Sequence, residues 1–264
     1  MFLIGRAKGV AIFAAFALLC GLPVSIFCRG ASAAEAGDCV LDKCVAKESA
    51  PQPDAAPPAN DTTRAAPFRR SASAPGDFDF YVLSLSWSSG FCATGGAAKG
   101  RSQCGAGANL GFVVHGLWPQ YEQGYPSDCG PAGRVPSRIA LQSAQGLFPD
   151  EGLARYEWRK HGTCSGKSPT DYFADVRRAR DAIIVPPSFR EAKEPQTWTP
   201  VDIERAFIAA NPRLRPGMLA VACTNAVLQE IRICFAKDLR DFRACPEVSR
   251  QNCRTREISV PPMR

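Results

Sequence analysis

The chain has only two histidines, His115 and His161, and each lies in a stretch rich in reactive or binding side chains. The first stretch runs Val114-His115-Gly116-Leu117-Trp118-Pro119-Gln120 and the second Tyr156-Glu157-Trp158-Arg159-Lys160-His161-Gly162-Thr163-Cys164. Imidazole ordinarily titrates near pH 6.5, so one such group can take a proton while another gives one at neutral pH. With Glu157 and Lys160 just before His161, the set offers an acid, a base and charges to steady a developing charge.

Cleavage of RNA through its own 2′-hydroxyl needs those parts and no metal. A base removes the hydroxyl proton, an acid protonates the departing 5′-oxygen, and donors hold the charge that gathers on phosphorus. Taken singly the residues are unremarkable: Glu157, Arg159 and Lys160 read as a solvated helix face. His115 alone is a loop histidine, and Trp118 and Trp158 are core aromatics. Only the joint pattern points to chemistry.

Several elements must position these groups. Phe78 to Trp87 is aromatic and apolar, with Ser84 and Ser86 alternating near its end, and predicts a strand. A glycine-rich loop follows, then a second strand over Leu110 to Val114 with His115 at its end. A helix from about Asp150 to Gly162, with Gly162 as its cap, places Glu157, Lys160 and His161 on one face. There Glu157 could bond phosphate, or orient His161 and raise its pKa. Ser168-Pro169 and Thr199-Pro200 open two further helices, ending near Ile184 and Asn211. Met218 to Thr224 and Val227 to Phe235 read as two strands. Without regular strand and helix alternation, the fold class is α+β, with a mainly antiparallel central sheet and several helices.

The amino terminus carries Arg6 and Lys8, an apolar run from Val10 to about Cys28, then Ala31-Ser32-Ala33, the layout of a cleaved secretory signal over residues 1–33. Residues 34–76 form an extension rich in Pro and Ala, with too few large apolar side chains to offset the entropy of ordering. The catalytic domain is expected over 77–264. Of the 12 cysteines, Cys20 and Cys28 fall in the signal, and an even number remains, as disulfides in an exported chain require. No Cys-x-x-Cys pair and no His-Glu-x-x-His motif supports zinc. The formal charge of +7 loses Arg6, Lys8 and Arg29 with the signal, so the mature chain is mildly positive and charge says little about its partners. No later stretch has the roughly 18 apolar residues of a membrane span.

The two histidine stretches closely resemble the active-site motifs of the ribonuclease T2 family. His115 to Pro119 agrees with the first at all five positions, and Glu157 to Cys164 with every specified position of the second after its opening residue. The likeness extends from about Phe78 to Cys253, through Trp87 and Phe91-Cys92 to Glu230-Ile231-Arg232-Ile233-Cys234 and Cys245. It implies that His161 is the general base, His115 the general acid, and that Glu157 and Lys160 stabilise pentacoordinate phosphorus. Trp118 would stack on a nucleobase, with Gln120, Tyr121 or Tyr125 beside it. The family's second motif often begins with a third histidine that assists phosphate binding; here Tyr156 stands in that place, a hydrogen-bond donor without charge. The resemblance also implies disulfides Cys129–Cys164, Cys234–Cys245, Cys223–Cys253 and Cys92–Cys104, leaving Cys39 and Cys44 to each other.

The resulting expectation is an exported, secreted or periplasmic endoribonuclease, monomeric, without cofactor or metal, acting on single-stranded RNA with little base specificity. One rival is an exported interaction protein that keeps the fold and has lost catalysis; the presence of His115, Glu157, Lys160 and His161 together speaks against it. A metal-dependent nuclease or phosphatase lacks a ligand cluster in the sequence.

Overall fold

The computed structural model describes residues 74–99, 102–130 and 135–263. The expected Cys39–Cys44 loop and most of the extension lie outside them. Six strands form one sheet: β1 (Phe80–Trp87), β2 (Phe112–Gln120), β3 (Gln196–Trp198), β4 (Leu219–Thr224), β5 (Val227–Ala236) and β6 (Ile258–Val260). The order is β2-β1-β5-β6-β3, with β4 also paired to β5. All pairings are antiparallel except β5 with β6, which run parallel where Val227 meets Ser259, so the sheet is mainly but not wholly antiparallel.

Strand β1 is buried throughout because both its faces are covered. Tyr81, Leu83, Leu85 and Trp87 point into the main core, against Trp158, Tyr172, Phe173, Val176, Ile203 and Phe207. Phe80 and Val82 point the other way, into a small cluster with Ala220, Cys234, Cys245 and Val248. The period of two thus divides the strand into a core face and a face that turns, beyond Val82, into the candidate site.

The helices that shape the site are α1 (Ser88–Phe91), α2 (Arg138–Ser143), α3 (Glu151–Lys160), α4 (Pro169–Asp181), α5 (Pro187–Arg190), α6 (Pro200–Ala210) and α7 (Pro246–Arg250). Their starts follow from the sequence. Asp150 accepts the Leu153 N–H at 2.8 Å, Ser168 caps α4 ahead of Pro169, and Thr199 caps α6 ahead of Pro200. Such caps contribute about 1 kcal/mol each. Helix α3 ends one residue before the expected histidine: His161 is its C-cap, outside helical geometry at φ −122°, ψ −43°. Gly162 is a glycine for another reason than capping. A Cβ there would lie 2.3 Å from the Trp158 ring and 3.0 Å from that of Tyr172, so only hydrogen lets the chain pass between them.

All four implied disulfides among the described residues are formed: Cys92–Cys104, Cys129–Cys164, Cys223–Cys253 and Cys234–Cys245. Cys129–Cys164 ties the segment after β2 to the turn following α3. Cross-links of this loop length contribute about 2–4 kcal/mol, chiefly by restricting the unfolded chain.

Candidate active site

His115 does not stand at a strand end as expected but inside β2, and its backbone is irregular there. Ser84 pairs with Gly116 and Leu85 with Val114, so His115 is the extra residue of a β-bulge. The bulge turns its imidazole across β1 towards β5, two strands away, or about 9–10 Å at ordinary strand spacing. The side chains in between are small: Ser84 and Ser86, both buried, lie opposite Arg232 and Glu230 of β5. His115 crosses this low ground and its Nδ1–H donates to Glu230 Oε1 at 2.5 Å. Glu230 in turn accepts from Arg232 Nε at 2.9 Å.

Burial by itself would lower the pKa of His115, but the Glu230 hydrogen bond and the charges of Glu230 and Glu157 outweigh it, leaving the pKa above 6.5 even against the Arg232 charge. Burial works against the ionised form of Glu230 too, yet the bond and charge of His115, with Arg232 behind them, hold its carboxyl at about 2. Below the raised pKa of His115 the pair is therefore an imidazolium carboxylate. With Nδ1–H committed, the proton available for transfer is on Nε2, which lies 3.7 Å from Glu157 Oε1.

Glu157 comes from α3 and is almost wholly buried, at 1% exposure. Its carboxylate fits over Gly116: a Cβ at that position would sit 2.1 Å from Oε2 and 2.2 Å from the Trp118 indole nitrogen. The Trp118 N–H donates to Oε2 at 2.8 Å. Burial pushes the Glu157 pKa up to about 7, against the charge of His115 and the Trp118 bond and with the charge of Glu230 adding to it. Glu157 thus serves the His115 end of the site; the expectation that it orients His161 and raises its pKa is corrected. The reason is the helix end: the chain leaves α3 at His161, so fourfold spacing does not stack the two side chains.

The His161 ring packs at 5.5 Å from Trp118 and 6.4 Å from Tyr125, while His115 meets Trp118 nearly edge-on at 5.2 Å. Both imidazoles therefore pack against the one indole. The Nδ1 of His161 is buried and has no hydrogen-bond partner among the described residues. Its burial, and then the positive charges of His115 and Lys160, lower its pKa to about 4, with Asp128 opposing. Lys160 turns outward to Asp128, Nζ to Oδ2 2.7 Å, and its backbone carbonyl accepts the Asp128 N–H at 2.9 Å. The single face expected for Glu157, Lys160 and His161 is in fact three directions: inward, outward and past the helix end.

Two cavities border the histidines, one at each. One, of about 480 Å³, is bordered by His115, Glu230, Tyr156, Arg155, Arg159, Phe91 and others. The other, of about 310 Å³, is bordered by His161, Trp118, Gln120, Tyr125, Arg232 and Gln251. A larger cleft of about 730 Å³ between α2 and α3 contains neither histidine. Of the residues expected to meet substrate, Tyr156 stands at the first cavity with Arg159 5.5 Å from its ring centre, and Trp118 and Gln120 at the second. Tyr121 borders neither; it is 6% exposed and part of the main core, which corrects its placement at the nucleobase site. Among the described residues no group of three or more His, Cys, Asp and Glu side chains is disposed to hold a metal ion.

Glu230 and Arg232 had no role in the sequence reading. The signal was there: two charged residues spaced by two on an apolar strand must share a face, and a buried charge needs a partner. What the sequence lacked was the partner, which lies 115 residues away.

The profile of the ribonuclease T2 family matches residues 78–245, and the chain belongs to that family. A ribonuclease of Aeromonas hydrophila is 47% identical over 40% of this chain, which spans about half (48%) of that relative. Ribonuclease DdI of Dictyostelium discoideum is 28% identical over 69% of this chain and 84% of its own length. Among solved structures, an RNase-related protein from Calystegia sepium superposes with a TM-score of 0.54 at 22% identity, covering 71% of this chain and 98% of that one, a likeness of fold.

Proposed function

We propose that the chain is a metal-independent endoribonuclease that cleaves single-stranded RNA by transphosphorylation, with little base specificity. The observation that carries this is the opposite displacement of two imidazoles that pack against one indole: the pKa of His115 is raised and that of His161 lowered to about 4. At pH 5 to 6 the first is an acid holding its proton and the second a base free of one.

In the first step His161 takes the proton of the 2′-hydroxyl, and the 2′-oxygen bonds to phosphorus. The bond to the 5′-oxygen breaks, and that oxygen receives the Nε2 proton of His115. The histidines then exchange roles: His115 takes a proton from water, whose oxygen opens the 2′,3′-cyclic phosphate, and His161 returns its proton to the 2′-oxygen. Glu157, neutral below about pH 7, can donate a hydrogen bond to phosphate where an ionised carboxylate would repel it. Lys160 contributes positive charge nearby. The 5′ nucleoside, which bears the reacting hydroxyl, would occupy the His161 cavity and stack on Trp118; the leaving nucleoside would occupy the His115 cavity beside Tyr156.

We further propose a signal peptide over residues 1–33, an extension over 34–76 and a catalytic domain over 77–264, acting as a monomer after export. Four disulfides are in keeping with an oxidising destination. No helix among the described residues is long and apolar enough to cross a membrane. The test is incubation with RNA in EDTA. Cyclic-phosphate ends are expected, DNA survives, and His115→Ala or His161→Ala abolishes cleavage; activity persisting in either variant sinks the assignment.

A further inference from the structure

We propose that Arg232 is a catalytic residue of this site, the cation that binds a non-bridging oxygen of the scissile phosphate. The inference deepens the endoribonuclease reading and rests on it. The reaction needs positive charge next to phosphorus, and four side chains could supply it near the histidines. Arg155 is engaged by Glu151 at 2.7 Å. Lys160 is engaged by Asp128 at 2.7 Å and borders neither cavity. Arg159 lies against the ring of Tyr156, which is 45% exposed, at the outer wall of the His115 cavity. Arg232 borders the His161 cavity, pairs with the same Glu230 carboxylate that holds His115, and lies 5.5 Å from the Trp118 ring that both histidines touch.

Its bonding leaves it free to act. Nε donates to Glu230 Oε2 at 2.9 Å, Nη2 lies 2.9 Å from the same oxygen, and Nη1 donates to Gln251 Oε1 at 3.0 Å. A guanidinium has five N–H donors, so two remain. The side chain is fixed by Glu230, Gln251 and the indole, so little rotamer freedom is lost when a ligand arrives, and its planar fork suits phosphate.

The charge count points the same way. His115 and Arg232 share the single negative charge of Glu230, so the trio carries net positive charge while His115 is protonated. Glu157 adds no negative charge below about pH 7. A phosphate placed between the cavities meets a positive cluster even though two carboxyl groups line it. Removing an electrostatic donor of this kind costs on the order of 10²-fold in rate.

The test compares Arg232→Ala, Arg232→Gln and Arg232→Lys with Lys160→Ala. Binding of uridine and of uridine 2′-monophosphate is measured by calorimetry, cleavage on a dinucleoside monophosphate, and the His115 pKa by NMR. Expected for Ala and Gln is at least tenfold weaker binding of the 2′-phosphate, uridine affinity within twofold, and a loss in kcat/KM on the order of 10²-fold. Lysine restores part of the phosphate affinity and less of the rate, having no fork. A residue that only braced Glu230 would act through His115. Unchanged phosphate affinity, with a rate loss that merely follows the His115 pKa, overturns the proposal, as does loss of phosphate affinity in Lys160→Ala but not in the Arg232 variants. If the wild-type chain fails to cleave RNA, the endoribonuclease reading falls, while the phosphate titration still decides for or against Arg232 as an anion site.

Discussion

The two ends of the site solve opposite problems with the same side chain. His115 is held by the sheet: a bulge aims it, two serines make room, and a buried carboxylate accepts its Nδ1 proton. His161 is held by a helix end, an indole face and the Cys129–Cys164 cross-link, with no carboxylate on Nδ1 among the described residues. The first surroundings favour the charged ring and the second disfavour it. Histidine is a blank on which neighbours write a proton affinity, and the raised and lowered rings here differ chiefly in having or lacking a carboxylate such as Glu230 at Nδ1.

The most direct way to break this comparison is to remove each ring in turn and vary the leaving group. Both alanine variants are expected to lose about 10³-fold or more on RNA. On a uridine 3′-aryl phosphate, whose leaving group needs no proton, His115→Ala recovers most of its rate and His161→Ala none. Equal recovery in the two variants would abolish the distinction between acid and base.

A smaller effect is expected where the two ends share a wall. Gly116→Ala drives a methyl group into the Glu157 carboxylate and the Trp118 nitrogen. Kinetics should show a loss of about 10²-fold in kcat, and urea titration about 1–3 kcal/mol of destabilisation from overpacking.

The pH profile sharpens the contrast. Wild-type kcat/KM should rise as His161 deprotonates above about 4, and fall as Glu157 ionises near 7 and His115 gives up its raised-pKa proton. Glu230→Gln removes the charge that sustains the His115 imidazolium and leaves a neutral acceptor for its Nδ1–H, so its alkaline limb moves to lower pH while the acid limb stays. A rate loss of about tenfold at pH 7 follows, and displacement of the acid limb instead would place Glu230 at the wrong histidine.

The smallest change expected is at Tyr156. Tyr156→His adds a cation at the rim of the His115 cavity and should lower KM a few-fold with kcat nearly constant. An unaltered KM would show that phosphate does not reach this position.

Much of this was legible in the sequence because it depends on residue type and short range. Two histidines in a long chain, capped helix starts and strands alternating from Phe80 to Trp87 are local statements, and the disulfides followed from the family resemblance. What escaped depends on geometry between distant segments. The bulge at His115 shifts the period of two, so that Val114 and Leu117, three apart, both enter the core, but in a run so apolar the residue types do not disclose the shift. The spacing of Glu157 and His161 gives a common face only if the helix persists, and it stops at Lys160. Tyr121 differs from Tyr125 in burial alone, which neighbours in sequence do not decide. The pairing of His115 with Glu230 needs the strand order β2-β1-β5, a fact about the whole sheet.

The serines of β1 have a practical consequence. Serine is a poor occupant of a central strand, and Ser84, wholly buried, looks like a site awaiting valine. A designer seeking a hardier protein would choose that change, gaining β-propensity and apolar burial. The added methyl groups would stand in the corridor between His115 and β5, so the improved scaffold would be a poorer catalyst. At Ser84 the trade between robustness and activity is a matter of unfilled volume.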